Sequence, residues 1–149
     1  MRPDAADKEA ARALIARQKF RTDDRDLAGV GECWARDGRL ELRVNGGEPV
    51  SVSGREAILD FVAQGWARPS DHPHAHLITT LEIIDRDDGR LGAESYCAYL
   101  SVKAPFHIEG YGRYSDVLEF EDGGWRLLSR SVRITSAFQL GAAPAKAAG

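Results

Sequence analysis

The histidines of segment 72–76 (His-Pro-His-Ala-His) stand closest together in the chain and are the first residues to test for chemistry. Alternate residues of a strand share a face, so two of these imidazoles could bind one metal ion. The only other histidine is His107, and Pro73 favours a loop over the first half of the segment. The sequence therefore predicts no metal site.

Aromatic side chains form a second set of candidates, because they could line an apolar pocket. They are Trp34, Trp66, Tyr96, Tyr99, Tyr111 and Tyr114. Aromatic residues at core spacing are typical of a plain core, which is the alternative for the two tryptophans. A buried tyrosine hydroxyl must find a hydrogen-bond partner, so Tyr99 and Tyr111 are the stronger pocket candidates. The chain has neither a Gly-rich phosphate loop nor a nucleophile elbow, and we expect no cofactor.

Length and composition limit what these residues can belong to. A chain of 149 residues fits a single domain, 1–149. Its 20 basic and 23 acidic residues give a net charge of −3 without a basic block, which argues against a nucleic-acid binder. No apolar run approaches the roughly 20 residues of a membrane span, and the N-terminus lacks a signal-peptide pattern. We therefore expect a cytoplasmic protein that binds neither nucleic acid nor membrane.

Two helices are predicted in the first 40 residues. The first covers residues 4–21, which are good helix formers without glycine or proline and whose apolar residues form a modest stripe that includes Phe20. Asp26 is a candidate N-cap for a second, short helix. That helix would carry Trp34 on its apolar face and end at Gly38.

A third helix and a set of long strands follow. Ser53 and Glu56 form a capping-box pattern at the start of the helix. Extended segments are predicted at residues 39–44, 50–52, 74–85, 93–104, 107–121 and 124–138. This order indicates an α+β fold with helices on one face of a strongly bent, mainly antiparallel sheet that contains bulges. The tail, 141–149, is expected to be flexible.

The element order and several short motifs together resemble the SnoaL-like group of the nuclear transport factor 2-like superfamily. The resemblance covers residues 8–136 and implies a cone-shaped α+β barrel with three helices in the N-terminal half. The motifs are Asp23-x-x-Asp26, Cys33-Trp34-Ala35-Arg36-Asp37-Gly38, Gly54-Arg55-Glu56-Ala57-Ile58, His76-Leu77-Ile78-Thr79-Thr80, Gly112-Arg113-Tyr114-Ser115-Asp116 and Asp122-Gly123-Gly124-Trp125-Arg126.

The resemblance implies a catalytic site. It is nearest to members with an Asp–His dyad, such as scytalone dehydratase and hexachlorocyclohexane dehydrochlorinase, in which the pair removes a proton from carbon as a leaving group departs. Asp23, His76 and Arg130 match the aspartate, the histidine and an arginine of that site. A strict period of two would place His76 on the face opposite Leu81, and a covered cone leaves either face possible. The implied substrate is small, mostly apolar and cyclic, in a pocket lined by Thr22, Trp34, Trp66, Tyr99 and Tyr111.

Three positions differ from the patterns of these relatives. Thr22 replaces the tyrosine that precedes the aspartate of scytalone dehydratase. Gln18 replaces a lysine of the dehydrochlorinase, although Lys19 is adjacent. Leu42 lies nearest the position of the base of ketosteroid isomerases, which share the fold, and this weakens an isomerase of that type.

A non-catalytic role is the alternative. The β subunits of ring-hydroxylating dioxygenases share this fold, so the chain could be a ligand-binding or assembly module. Asp23 could then be a turn residue, and Arg130 could belong to a structural ion pair. In either case we expect a homodimer formed through the sheet, because long half-polar strands such as 111–121 offer a broad face.

Overall fold

A computed structural model describes residues 2–67, 74–101 and 104–136 of the chain. The elements follow in the order α1 (Ala5–Asp23), α2 (Leu27–Glu32), β1 (Trp34–Val44), β2 (Val50–Ser53), α3 (Arg55–Ala67), β3 (His74–Asp85), β4 (Leu91–Ser101), β5 (His107–Glu121) and β6 (Gly124–Ser136). The predicted α+β class and element order are confirmed. The predicted end of the last strand, the tail 141–149, and His72 with Pro73 lie outside the described residues.

α1 begins with a reciprocal cap. The Asp4 carboxylate accepts a hydrogen bond from the Asp7 N–H, and the Asp7 carboxylate accepts one from the Asp4 N–H. The predicted apolar stripe of α1 is wrong at its C-terminal end, because Phe20 is 68% exposed. The buried positions have helical spacing and include two polar residues: Ala11, Leu14, Ile15, Gln18 and Lys19.

Trp34 lies in a strand and not in the predicted helix. α2 ends at Glu32, and Trp34 pairs with Leu127 of β6 at the start of β1. Two of the six residues of α2 are glycine, which disfavours a longer helix. Trp34 is fully buried in the core all the same.

The predicted capping box of α3 is also wrong. Ser53 still belongs to β2, where it pairs with Arg39 of β1. Gly54 makes the turn instead: its φ is +93°, and its carbonyl accepts from the N–H of Ile58 at 3.0 Å. Glycine adopts such a positive φ without steric cost.

The six strands form one mixed sheet in the order β2-β1-β6-β5-β4-β3. β1 and β6 are parallel, and the other neighbouring pairs are antiparallel. In the described part of the chain the sheet is open, with β2 and β3 at its edges. α1 packs against β3 and β6, and α3 packs against β1, so the helices cover one face, as predicted.

Two bulges decide which side chains face the helices. The pairing of β3 with β4 shifts between Thr79 and Glu82, and Thr80 there has φ +52°. The pairing of β5 with β6 shifts between Ser129 and Leu127. An extra residue reverses the alternation of a strand, so His76 and Arg130 lie on the same face as the core residues beyond each bulge.

The buried apolar residues form two clusters. The larger lies between the helices and the sheet and includes Trp34, Ile58 and Leu118. The smaller consists of Cys97, Tyr99, Tyr114 and Val132, near the end of β3 that carries His76. None of the helices described here is long and apolar enough to cross a membrane.

Two glycine-to-alanine changes should have opposite effects on stability. A Cβ at Gly112 would lie 2.5 Å from the Tyr99 hydroxyl and 2.7 Å from the Tyr114 ring, so Gly112→Ala should destabilise the protein by about 1–3 kcal/mol. A Cβ at Gly65 in α3 would meet nothing within 4 Å, so Gly65→Ala should stabilise it by about 0.5–1 kcal/mol. Urea unfolding measures both. Equal effects would contradict the packing around Tyr99.

Candidate active site

Asp23 and His76 meet where the end of α1 lies against the start of β3. The backbone N–H of His76 donates to Asp23 Oδ2 at 2.9 Å, and the ring Nδ1 hydrogen-bonds to Asp23 Oδ1. A carboxylate accepts hydrogen bonds, so Nδ1 carries the proton. Nε2 then holds the lone pair, and it has no hydrogen-bond partner among the described residues. The carboxylate fixes both the position and the tautomer of the ring.

Burial and hydrogen bonding set the charges of this pair. Burial raises the pKa of Asp23, but the two hydrogen bonds from His76 outweigh it and leave that pKa below its ordinary value. Burial lowers the pKa of His76, and the positive charge of Lys19 adds to this, while Asp23 opposes it. Near neutral pH the pair is therefore a carboxylate beside a neutral imidazole.

One tyrosine lies beside the imidazole and is hydrogen-bonded to a second tyrosine. The Tyr99 ring meets the His76 ring edge-on, with centroids 5.4 Å apart, as expected for residues paired across β3 and β4. The Tyr99 and Tyr114 hydroxyl oxygens are 2.8 Å apart. Burial raises the pKa of Tyr99 to about 12 and that of Tyr114 well above its usual value. Both are therefore neutral phenols, and only one of their two protons can lie between the two oxygens.

Arg130 forms a buried ion pair with Asp116, its partner across β5 and β6. Its Nε and one terminal nitrogen each donate to the Asp116 carboxylate at 2.8 Å, and the other terminal nitrogen donates to Gln18 Oε1 at 2.7 Å. Arg130 thus holds Asp116. Burial acts to lower the pKa of Arg130, but Asp116 outweighs it and raises that pKa.

Lys19 is a site residue that the sequence reasoning noted only as a neighbour of Gln18. It lies one helical turn before Asp23 and is 7% exposed. Its Nζ lies 4.0 Å from the centroid of the Tyr114 ring. Burial, aided by the charge of Arg130, lowers the pKa of Lys19 to about 7.

These side chains form one connected group, which we call the interior polar cluster: Lys19, Asp23, His76, Tyr99, Tyr114 and Arg130. It contains a base, a carboxylate that orients the base, neutral hydroxyl donors and two nitrogen groups that can carry positive charge. Such a set can accept a proton from carbon and stabilise negative charge that develops nearby. Across the described residues, no three His, Cys, Asp or Glu side chains are placed to hold a metal ion.

The predicted pocket residues fall in different places. Tyr99 belongs to the cluster, and the Thr22 hydroxyl is hydrogen-bonded to the Gln18 carbonyl at 2.8 Å. Trp34 and Trp66 pack in or against the larger core instead. Tyr111 is wrong as a pocket residue: it alternates with buried glycines in β5 and is 48% exposed on the outer face of the sheet.

Comparison with known proteins identifies the family. The SnoaL-like domain matches residues 3–131 of the 149. The chain belongs to the SnoaL-like domain family. The predicted family is therefore confirmed. No curated protein sequence matches the chain.

Solved structures confirm the cone-type fold of this SnoaL-like domain. An NTF2-like protein with a cystatin-like fold from Novosphingobium aromaticivorans is 22% identical, with 94% of this chain and 86% of that chain covered and a TM-score of 0.70. A protein of Catenulispora acidiphila in complex with S-DNPA is 25% identical (88% and 95% covered, TM-score 0.71). The β subunit of a candidate aromatic-ring-hydroxylating dioxygenase from N. aromaticivorans is 20% identical (88% and 90% covered, TM-score 0.72).

The sequence contains a pattern from which the burial of Lys19 could have been predicted. The buried face of α1 runs through Leu14 and Ile15, and helical spacing continues it to Gln18 and Lys19. Two polar residues that extend an apolar stripe indicate a buried polar site, because lysine is almost never fully buried unless other polar groups accompany it.

Replacing Lys19 by methionine should stabilise the domain, and the gain should depend on pH. Its pKa is about 7 in the folded state against 10.5 ordinarily, so below pH 7 the amine is charged in both states and the burial penalty is complete. Lys19→Met should then add up to about 4 kcal/mol to the unfolding free energy, a gain that disappears as pH rises from 7 to about 10.5. Urea unfolding at several pH values measures it.

The control is Lys8→Met, because Lys8 forms a surface ion pair with Asp85 at 2.8 Å. It should change stability by less than about 1 kcal/mol. If Lys19→Met is less stable than the wild type at pH 6, the buried charge stabilises the fold and the expectation is wrong.

Proposed function

We propose that this SnoaL-like domain is a cofactor-independent enzyme that removes a proton from carbon, coupled to elimination or isomerisation. His76 is the general base, Asp23 orients it, and Arg130 assists. The observation that carries the proposal is that the Asp23 carboxylate accepts hydrogen bonds from both the backbone N–H and the ring of His76. These two hydrogen bonds fix the orientation of the ring and leave Nε2 as the base.

The steps follow from the charges of the cluster. Nε2 takes the proton, and the carbon–hydrogen electron pair moves into a new double bond as a leaving group departs or an oxygen takes up the charge. The imidazolium that forms is stabilised by the ionised Asp23. One hydroxyl proton lies in the hydrogen bond between Tyr99 and Tyr114. The other hydroxyl proton of this pair can be donated to the developing anion. Arg130, fixed by Asp116, keeps positive charge near the Tyr114 ring, 5.0 Å from its centroid.

The substrate class is small, mostly apolar and cyclic. Support comes from the Tyr99 ring that packs edge-on against His76 and from a structural neighbour at 25% identity that was solved in complex with S-DNPA. The dioxygenase β subunit among the neighbours is 20% identical, which supports a common fold alone. The dyad favours an enzyme over an assembly module.

The test uses 5-nitrobenzisoxazole, an apolar bicyclic carbon acid. A base removes its carbon-bound proton, a nitrile forms, and the nitrogen–oxygen bond breaks to give a coloured phenolate. The wild type should open the ring at least about 10²-fold faster than His76→Asn, whose amide can still donate to Asp23. The rate should be constant near pH 7 and fall in acid, because the pKa of His76 is lowered. Equal rates for wild type and variant would contradict the proposal.

We also propose that two copies pair through the outer face of the sheet. Tyr96 and Tyr111 are exposed there, with their ring centroids 6.2 Å apart. Arg113 and Glu94 form an ion pair at 2.8 Å on the same face. A surface that carries both charges can complement itself about a twofold axis, as an isologous dimer requires.

Light scattering during gel filtration should therefore give twice the mass of one chain. The double variant Tyr96→Glu/Tyr111→Glu should give the mass of one chain, because four carboxylates would meet at the interface. Phe120→Glu is the control, since this exposed aromatic ring packs on Trp125 and lies away from the tyrosines. A wild-type monomer would exclude the dimer.

A further inference from the structure

Lys19 is 7% exposed, and its Nζ has neither a hydrogen-bond partner nor an ion-pair partner among the described residues. The nearby carboxylates are already used, since Asp23 holds His76 and Asp116 holds Arg130. What Nζ contacts is the face of the Tyr114 ring, at 4.0 Å. A structural lysine in the interior would be expected to form an ion pair.

The surroundings of Lys19 favour its uncharged form. Burial is the main cause of its lowered pKa, about 7, and the nearby positive charge of Arg130 is the second. Asp116 and Asp23 oppose these effects without cancelling them. A desolvated lysine next to a second cation is the arrangement that makes an amine nucleophilic near neutral pH.

We propose that Lys19 is a nucleophile that forms an imine with the carbonyl group of an aldehyde or ketone. The Nζ lone pair forms a bond to the carbonyl carbon, the carbonyl electron pair moves to the oxygen, and one Nζ proton passes to that oxygen to give a neutral carbinolamine. The hydroxyl then takes a second proton from solvent, the carbon–oxygen bond breaks, water leaves, and a protonated imine remains on Lys19. No oxidant or reductant is needed.

This step identifies a substrate class for the proposed base, and in that respect it rests on the proposed function. A protonated imine draws electrons from the neighbouring carbon and makes its C–H bond more acidic. Lys19 lies one turn before Asp23, and its charge acts on both Asp23 and His76. We expect His76 to take the proton from that carbon, and the electron pair then forms an enamine.

The test is reductive trapping with cyclohexanone and sodium cyanoborohydride at pH 7, followed by peptide mapping. The reductant adds hydride to the imine and leaves one cyclohexyl group on the amine. Lys19 should be labelled at least about 10-fold faster than Lys8, because its pKa of about 7 leaves about half of the Lys19 amines uncharged and able to attack the carbonyl at pH 7. Lys8 is the internal reference, since it lies on the surface next to Asp85.

Variants separate the outcomes. Lys19→Arg keeps a positive charge but cannot form the imine, so labelling at this position should disappear while labelling of Lys8 continues. His76→Asn should keep the labelling of Lys19 and lose the opening of 5-nitrobenzisoxazole. Labelling of Lys19 no faster than that of Lys8 in the wild type would overturn the proposal, and this comparison needs no variant. Rapid labelling without any ring opening would overturn the proposed base and leave the nucleophile standing.

Discussion

Asp23→Asn should slow the opening of 5-nitrobenzisoxazole by about 10²–10⁴-fold. The asparagine side chain has nearly the same shape, but it removes the negative charge that stabilises the His76 imidazolium. It also replaces one acceptor by an N–H donor, so the ring no longer has a single preferred tautomer. Both effects act on the proton transfer and leave the position of the backbone almost unchanged.

The same variant should shift the titration of His76 in a known direction. Asp23 raises the pKa of His76 through the hydrogen bond and through its charge, against the lowering by burial. Without that carboxylate the pKa should fall further below its ordinary value. Titration of the ring nitrogens by NMR measures this change. Asp24→Asn is the matched control, since Asp24 is the exposed next residue.

An unchanged rate or a higher His76 pKa in Asp23→Asn would contradict the coupling of the pair. Circular dichroism distinguishes these results from unfolding. The control variant should retain both the rate and the titration of the wild type.

Arg130→Met should lower the unfolding free energy by about 3–5 kcal/mol. The change leaves the Asp116 carboxylate buried without the two nitrogen donors that hold it at 2.8 Å. Gln18 loses a hydrogen-bond donor as well. A lone buried charge is much less stable than either a paired charge or an apolar residue, so the loss is large. Urea unfolding at neutral pH measures it.

A double variant tests whether the loss comes from the orphaned carboxylate. Asp116→Leu/Arg130→Met removes both charges and should recover much of the stability. Lys8→Met breaks the surface pair with Asp85 and should change stability by less than about 1 kcal/mol. If Arg130→Met matched Lys8→Met, the buried pair would have no special weight in the fold.

Much of the fold could be predicted from local patterns. The long strands 74–85 and 107–121 were predicted with the bounds that the structure has, because alternation and turn residues mark them clearly. The end of α2 could not be predicted, because the spacing of Leu27, Val30 and Trp34 fits one continuous helix. The same residues are also compatible with a shorter helix followed by a strand that begins at Trp34. Only pairing with β6 distinguishes the two, and that contact joins distant parts of the chain.

The site was less accessible to sequence reasoning. Resemblance brought Asp23 and His76 together as candidates, and their contact is a finding of the structure, whereas their catalytic role stays a prediction. The bulge at Thr80 decides on which face of the sheet His76 lies, and a strict alternation of faces along the strand cannot include a bulge. The partner of Arg130 depends on the register of β5 and β6, which places Asp116 directly opposite. Registers of long strands are not encoded in any short segment.

The bulge in β3 makes the interior polar cluster sensitive to the length of the chain as well as to its chemistry. Deleting one of the two exposed threonines, Thr79 or Thr80, would leave every side chain of the interior polar cluster and of the core in the sequence. It would nevertheless turn either His76 or the apolar half of the strand to the outside. Loss or gain of one codon could therefore rearrange this cluster during evolution without replacing any of its residues.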